Sequence, residues 1–130
     1  MRRTFTYQDR LKSRKAIAQV FETGGQLFQY PIKVFYLITA DQPATVQMSV
    51  SVPKKKFKKA TDRNQIKRRM REAFRLNRPE DPAQTSLATM WVYIGKETES
   101  YDKIESASRK LWQKLIKIQP HGTEAQQEGH

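Results

Sequence analysis

The 130-residue sequence contains no cysteine, only two histidines, and few acidic residues: thirteen Asp and Glu against twenty-five Lys and Arg. Without cysteine there can be no disulfide and no thiolate chemistry, which favours a reducing compartment. Both histidines, His121 and His130, lie in the last ten residues, so neither a histidine-based triad nor a zinc site is expected. The carboxylates are scattered and do not suggest a metal-dependent nuclease. We therefore expect no catalytic or metal site built from this chain's own side chains.

Long apolar runs and glycine-rich motifs are missing as well. No apolar run reaches the length that crosses a bilayer, and the N-terminal MRRTFTYQDR lacks the apolar region of a secretory signal. The one glycine pair, Gly24-Gly25, lacks the Lys-Ser/Thr sequel of a phosphate-binding loop. We expect a cytoplasmic protein with no membrane partner. Its composition, 37% apolar and 29% charged, is typical of one folded domain.

The most prominent feature of the sequence is its positive charge. Of the formal net charge of +12, a local net charge of +10 falls within residues 54–78, where twelve Lys or Arg stand against Asp62 and Glu72. Such repulsion costs stability unless a polyanion relieves it, so the density indicates a nucleic-acid partner before a membrane surface or an acidic protein. Arginine also matches phosphate with its planar fork of donors.

The same stretch predicts an amphipathic helix. Asp62 is a candidate N-cap, Gln65 completes a capping-box-like start, and the helix should end near Asn77. One face is apolar and the others are basic, because two sets of residues recur at helical spacing: Ile66, Met70, Ala73 and Phe74 in the apolar set, and Arg63, Lys67, Arg71 and Arg75 in the basic row. The apolar face indicates that the helix is packed along its length, and no second helix at a short turn completes a helix-turn-helix. Both features argue against a helix that binds in the major groove of DNA. The packed face also argues against a membrane-surface helix.

The rest of the chain predicts an α+β fold in a single small domain over residues 13–118. Helices are expected over residues 13–22, with Ser13 as the cap, and over 101–118; strands are expected over 30–39, 45–52 and 87–95. Residues 1–12 are interpreted as a basic arm and residues 119–130 as a disordered polar tail. The order of helix, strands, helix, strand, helix indicates a mostly antiparallel sheet with helices packed on it. Trp91 and Tyr93 are interpreted as core, with an RNA-facing position left open.

One face of the predicted sheet carries Lys33 and Phe35, and small hydroxyl side chains of the following strand are expected close by. An aromatic ring beside a cation can stack an unpaired base and neutralise its phosphate. The alternative is that the first helix covers Phe35 through Ile17 and Phe21. Both interpretations hold if the helix leaves a groove beside the sheet.

Residues 60–75 carry a specific pattern. It consists of Arg63-Asn64, Ile66-Lys67-Arg68, Arg71 and Ala73-Phe74, in that order, and the segment SVSVPKKK precedes it. This pattern resembles the signature region of the bacterial ribonuclease P protein component. The segments RLKSRKAIAQVF and PIKVFYLI resemble the opening helix and the following strand of that family, so the resemblance covers roughly residues 10–118. The chain departs from the family at Gln65, where the motif usually has a third-position Arg, at Ile17, often aromatic in the family, and at the acidic Asp62.

The resemblance implies a ribosomal protein S5 domain 2-like fold, described in the family as having a left-handed β-α-β crossover around the motif helix. It also implies a small basic subunit that binds a large catalytic RNA and precursor tRNA, as a monomer within the complex. The holoenzyme cleaves precursor tRNA endonucleolytically to give the mature 5′ end. The RNA carries that chemistry with Mg²⁺ that it binds mainly itself, and the protein holds no organic cofactor.

Two groups of site residues follow from the resemblance by matching position. The group expected to contact the catalytic RNA comprises Arg63, Asn64, Lys67, Arg68, Arg71, Lys54 and Lys55. The group expected to line a cleft for the single-stranded 5′ leader comprises Ile17, Phe21, Lys33 and Phe35. The alternative function is that of a non-enzymatic ribosomal or RNA-assembly protein of similar fold.

Overall fold

The computed structural model describes residues 14–39, 46–77 and 86–118, which form three helices and four strands. In chain order these are α1 (Arg14–Thr23), β1 (Gly25–Gln29), β2 (Ile32–Thr39), β3 (Val46–Ser51), α2 (Ala60–Asn77), β4 (Ser86–Tyr93) and α3 (Tyr101–Ile118). The predicted α+β class and element order are confirmed. The predicted arm at residues 1–12 and tail at residues 119–130 lie outside the described residues.

The four strands form one sheet in the order β1-β2-β4-β3. β1 pairs with β2 and β2 pairs with β4 in antiparallel fashion, whereas β3 pairs with β4 in parallel. The mostly antiparallel sheet is thus confirmed, with one parallel pair whose crossover connection contains α2. β2 and β3 follow each other in the sequence but do not pair, because β4 is inserted between them.

The sequence reasoning missed β1. The predicted first helix ended at residue 22 and the next predicted strand began at residue 30, with nothing assigned between them. α1 ends at Thr23, where the amide of Gly24 donates to the carbonyl of Val20 at 3.1 Å. The chain then enters β1 directly. A Cβ at Gly24 would lie 2.1 Å from the carbonyl oxygen of Tyr36, so glycine is required where the helix end meets the sheet. The strand GQLFQ lies at the sheet edge with half-exposed residues, which explains its weak apolar pattern.

The main core lies between one sheet face and the two long helices, α2 and α3. Trp91 and Tyr93 of β4 are 1% and 0% exposed, which confirms the core interpretation. The ring of Trp112 in α3 joins them, 5.2 Å from Trp91 and 5.4 Å from Phe74 of α2. Aromatic side chains of this size dominate the free energy of burial, so this cluster fixes α2 and α3 against the sheet.

The opposite sheet face carries α1 over a smaller apolar cluster. Val20 of α1 is fully buried against Met90 of β4, and Ile17, Phe35 and Leu37 pack around them. Because side chains alternate between the two faces of a strand, this cluster is separated from the main core by the sheet itself. The protein therefore has three layers: α1, the sheet, and the α2–α3 pair.

Candidate nucleic-acid interface

α2 is attached to the sheet by a narrow apolar face. The predicted stripe is confirmed, since Ile66, Met70, Ala73 and Phe74 are all no more than 1% exposed. The basic side chains occupy the rest of its circumference, and Arg63, Lys67, Arg68, Arg69, Arg71 and Arg75 all retain solvent access. Positive charge is consequently displayed along the whole helix, on the side away from the core.

The residues predicted to contact a catalytic RNA form one surface, which we call the motif surface: Arg63, Asn64, Lys67, Arg68, Arg71, Lys54 and Lys55. Asn64 and Arg68 are exposed on α2, whereas Lys67 and Arg71 are half-buried. Lys54 and Lys55 are exposed in the turn that precedes α2. None of these side chains is buried in the protein, so the surface is available to a polyanion.

Arg63 has an additional role that the sequence did not reveal. Its Nη1 donates to the carbonyl oxygens of Phe57 at 2.7 Å and Lys58 at 3.0 Å. Phe57 is itself anchored, because its ring is 6% exposed and lies 5.6 Å from the ring of Tyr93. The amide of Phe57 donates to the carbonyl of Pro53 at 3.2 Å. Arg63 and Phe57 together hold the lysine loop, residues 53–59, against the start of α2.

The predicted N-cap was wrong. α2 begins at Ala60, and the carbonyl of Lys59 accepts from the amides of Asp62 at 3.1 Å and Arg63 at 3.2 Å. Asp62 thus lies inside the first turn rather than before it, and the predicted capping box with Gln65 fails for the same reason. The carboxylate still favours the helix, because a negative charge in the first turn faces the positive end of the helix dipole.

Two further charged groups on α2 were missed. The Nη1 of Arg69 donates to the carbonyl of Glu99 at 2.6 Å, which ties α2 to the chain entering α3. The carboxylate of Glu72 pairs with the guanidinium of Arg75 at 2.5 Å. The hydrogen bond from Arg75 lowers the pKa of Glu72 below its ordinary value. The Glu72–Arg75 pair has the i, i+3 spacing of neighbours on one helix and could have been predicted. The partner of Arg69 could not, because Glu99 lies thirty residues away and its acceptor is a backbone carbonyl.

The predicted leader-cleft residues come together on the α1 face of the sheet. The rings of Phe21 and Phe35 lie 4.6 Å apart at a tilt of 57°, and the Nζ of Lys33 lies 5.4 Å from the ring centre of Phe35. Ile17 packs in the same cluster, while Phe21 remains 43% exposed. We call these four residues the cleft surface. α1 covers Phe35 in part, and the open ring of Phe21 leaves an aromatic face beside a cation.

One detail of that face was wrong in the sequence analysis. Small hydroxyls were expected beside Lys33 and Phe35, but Ser49 on β3 pairs with Met90 of β4, and Met90 pairs with Phe35. Because β4 lies between β2 and β3, the neighbour of Phe35 is the apolar side chain of Met90 and not a hydroxyl. The other neighbour of Lys33 is Phe28 of β1, 55% exposed, which the missed strand hid from sequence reasoning.

Residues 14–39, 46–77 and 86–118 contain no group of three or more His, Cys, Asp or Glu side chains placed to hold a metal ion. No helix within them has both the length and the apolar character needed to span a membrane.

Fold and surfaces together define a small basic α+β domain with a cationic helix on one side of a sheet and a partly covered aromatic face on the other. The family model named Ribonuclease P matches residues 5–116. The chain belongs to the ribonuclease P protein family.

Individual relatives agree with this assignment. The ribonuclease P protein component of Porphyromonas gingivalis is 42% identical over 71 residues, 54% of this chain and 52% of that protein. The corresponding protein of Pseudoalteromonas translucida is 36% identical over 75 residues, 58% of this chain and 50% of that protein. The chain thus spans about half the length of the curated relatives it matches.

Solved structures share the fold. The RNase P protein from Thermotoga maritima superposes with a TM-score of 0.67 at 22% identity, covering 81% of this chain and 96% of that one. The RNase P protein of Staphylococcus aureus gives a TM-score of 0.62 at 19% identity, covering 84% and 95%. At these identities the likeness concerns the fold alone.

Proposed function

We propose that this chain is the protein subunit of ribonuclease P and assists the endonucleolytic removal of the 5′ leader from precursor tRNA. The observation that carries the proposal is the two-sided character of α2. Its apolar stripe is buried along the full helix while the motif surface stays open. A basic helix clamped in this way cannot turn its charges inward, so its fixed positive field favours a folded polyanion.

The motif surface is the proposed contact with the catalytic RNA. Arg68 and Asn64 project from α2, and Lys54 and Lys55 lie in the loop that Arg63 holds next to it. Each Lys or Arg that neutralises a phosphate releases counterions, so binding should weaken steeply as salt is raised. Holding the loop lysines in place beforehand reduces the entropy lost on binding.

The cleft surface is the proposed contact with the 5′ leader. The exposed ring face of Phe21, tilted against Phe35, can stack an unpaired base, and Lys33 lies close enough to neutralise an adjacent phosphate. Stacking tolerates any base, which suits leaders of different sequence. Because mature tRNA lacks the leader, contacts made here favour precursor over product.

Chemistry at the scissile phosphate is assigned to the RNA subunit with Mg²⁺ that the RNA binds. The protein residues act on binding and charge: they screen RNA phosphates and position the substrate. We place the complex in the cytoplasm, with one copy of the chain per RNA.

The test is reconstitution at low Mg²⁺ with a ribonuclease P RNA and a precursor tRNA. We expect the protein to restore accurate 5′ cleavage under conditions where the RNA alone is slow, because bound cations replace part of the Mg²⁺ screening. Arg109→Ala is the matched control, since Arg109 is paired with Glu105 on α3 at 2.9 Å and lies outside both surfaces. Binding to RNA without any stimulation of cleavage would instead support the ribosomal or assembly alternative.

A further inference from the structure

A cavity of about 310 Å³ lies between α2 and the first turn of α3, beside the motif surface. Its lining comprises Gln65, Arg68, Arg69, Glu72 and Tyr101. The four α2 residues are spaced at i, i+3, i+4 and i+7, so they form one continuous stripe. Only Arg68 belongs to the motif surface, and Gln65 is the position at which the chain departs from the family motif.

The cavity combines hydrogen-bond donors and acceptors that are already oriented. Arg69 is fixed by its bond to the carbonyl of Glu99 at 2.6 Å, and its other guanidinium N–H groups remain available. Glu72 accepts from the Nε of Arg75 at 3.1 Å and from its Nη2. A carboxylate has about four acceptor positions, so about two remain, and the Glu72 side chain is 45% exposed.

This combination disfavours simple ions. Two guanidinium groups repel a metal cation, and the Glu72 carboxylate repels a bare phosphate. A nucleobase fits better, because it offers donors and acceptors on one edge and a flat face to stack on guanidinium or tyrosine. The volume lies at the lower end of the range of small-ligand pockets, roughly 300–1,000 Å³, and admits a single planar base.

We propose that this cavity receives one unpaired base of the bound RNA and that guanine is the base it fits best. The inference rests on the proposed function, because the base belongs to the RNA held on the motif surface. The Watson–Crick edge of guanine carries two adjacent N–H donors beside the O6 acceptor. Glu72 accepts from the two N–H groups, and the guanidinium of Arg68 or Arg69 donates to O6.

Tyr101 completes the wall of the cavity. Its hydroxyl is shielded from solvent and has no hydrogen-bond partner among the described residues, and burial raises its pKa above the ordinary value. The flat ring forms a wall of the cavity against which a base can lie.

The substitution Glu72→Gln in the full chain tests the proposal, because the proposal and simple electrostatics predict opposite changes in the affinity for RNA. Removing a negative charge from a basic surface should tighten binding to any RNA. Loss of the carboxylate that reads guanine should instead weaken binding to ribonuclease P RNA by roughly 5- to 100-fold. Glu105→Gln is the matched control, because its carboxylate also pairs with an arginine, Arg109 at 2.9 Å, but does not line the cavity. We expect this control to bind unchanged or slightly tighter.

Kethoxal footprinting identifies the base, since kethoxal attacks the N1 and N2 positions of unpaired guanines. We expect the wild-type chain to protect one guanine that becomes reactive with Glu72→Gln and stays protected with Glu105→Gln. Gln65→Ala is a second variant and should reduce the same protection in part. Equal or tighter binding by Glu72→Gln with an unchanged footprint would overturn the cavity assignment alone. Failure of the wild-type chain to bind the RNA would overturn the proposed function as well.

Discussion

Arg63→Ala should release the lysine loop before any RNA is present. The guanidinium donates to two loop carbonyls, at 2.7 Å to Phe57 and 3.0 Å to Lys58. A hydrogen bond from a charged donor contributes roughly 1.5–3 kcal/mol. The bond to Lys58 is exposed, so we discount the pair to about 1–2 kcal/mol of local stability. That change raises the population of the open loop roughly 5- to 30-fold.

Limited trypsin digestion of the free protein measures this opening, because cleavage within a folded loop follows the population of its open form. The loop offers Lys54, Lys55, Lys56, Lys58 and Lys59 as cleavage sites, which mass spectrometry can distinguish from sites elsewhere. Arg68→Ala is the control, since it removes the same charge from an exposed side chain of α2. Its loop should be cut at the wild-type rate.

The two variants should also differ in RNA binding. Arg68→Ala should reduce the slope of log affinity against log salt by about one unit, as expected for one lost phosphate contact. Arg63→Ala should reduce it by more than one, because the loop lysines lose their fixed position as well. If loop cleavage is the same in both variants, Arg63 does not hold the loop and our reading of its two hydrogen bonds is wrong.

Three further outcomes are expected. Phe35→Ala should reduce the preference for precursor over mature tRNA, with Phe35→Leu showing how much depends on the ring; equal affinity losses for both tRNAs would remove Phe35 from the leader contact. Phe74→Ala should lower the free energy of unfolding in urea by about 3–5 kcal/mol, since Phe74 is fully buried. Tyr93→Phe should cost about 1–3 kcal/mol, because the hydroxyl donates to the carbonyl of Glu97 and accepts from the amide of Glu99. Burial raises the pKa of Tyr93 above its ordinary value of 10.0, so wild-type stability should be complete below pH 10 and decline above it, more steeply than in Tyr93→Phe.

The sequence predicted α2 and its exposed charges well, because the apolar residues of that helix recur at a single spacing. Ala73 and Phe74 can both lie on the face of Ile66 and Met70 in a helix but not in a strand, where adjacent residues point to opposite faces, and the structure buries that helical face. Asp62 was misplaced because a capping preference is worth little against the carbonyl geometry of the preceding loop, and helix ends vary by a residue or two.

The pairing of the strands was beyond sequence reasoning. Nothing in residues 45–52 indicates that this strand lies beside β4 rather than β2, because β4 follows much later in the chain. The short edge strand β1 carries too few apolar residues to be distinguished from a loop. Both errors affected the prediction of the cleft surface. Hydroxyl side chains were predicted beside Phe35, where Met90 lies, and Phe28, the neighbour of Lys33, was not predicted at all.

The roles of Arg63 and Arg69 depend on partners that sequence patterns do not encode. Both donate to backbone carbonyls, which every residue possesses and which only the folded chain selects. The abundance of arginine therefore predicted a basic surface, but not which arginines hydrogen-bond to the protein's own backbone and which remain exposed.

The placement of the two proposed RNA surfaces on opposite sides of one sheet has a geometric consequence. Packed layers of secondary structure lie about 10 Å apart, and a hydrogen-bonded sheet does not compress. In the proposed complex, the leader and the catalytic RNA are thus kept apart by a spacing that the packed layers of the domain set. The domain would act as a rigid spacer between two strands of RNA, and mutations that thin or thicken its core would change where the substrate lies relative to the RNA that cuts it.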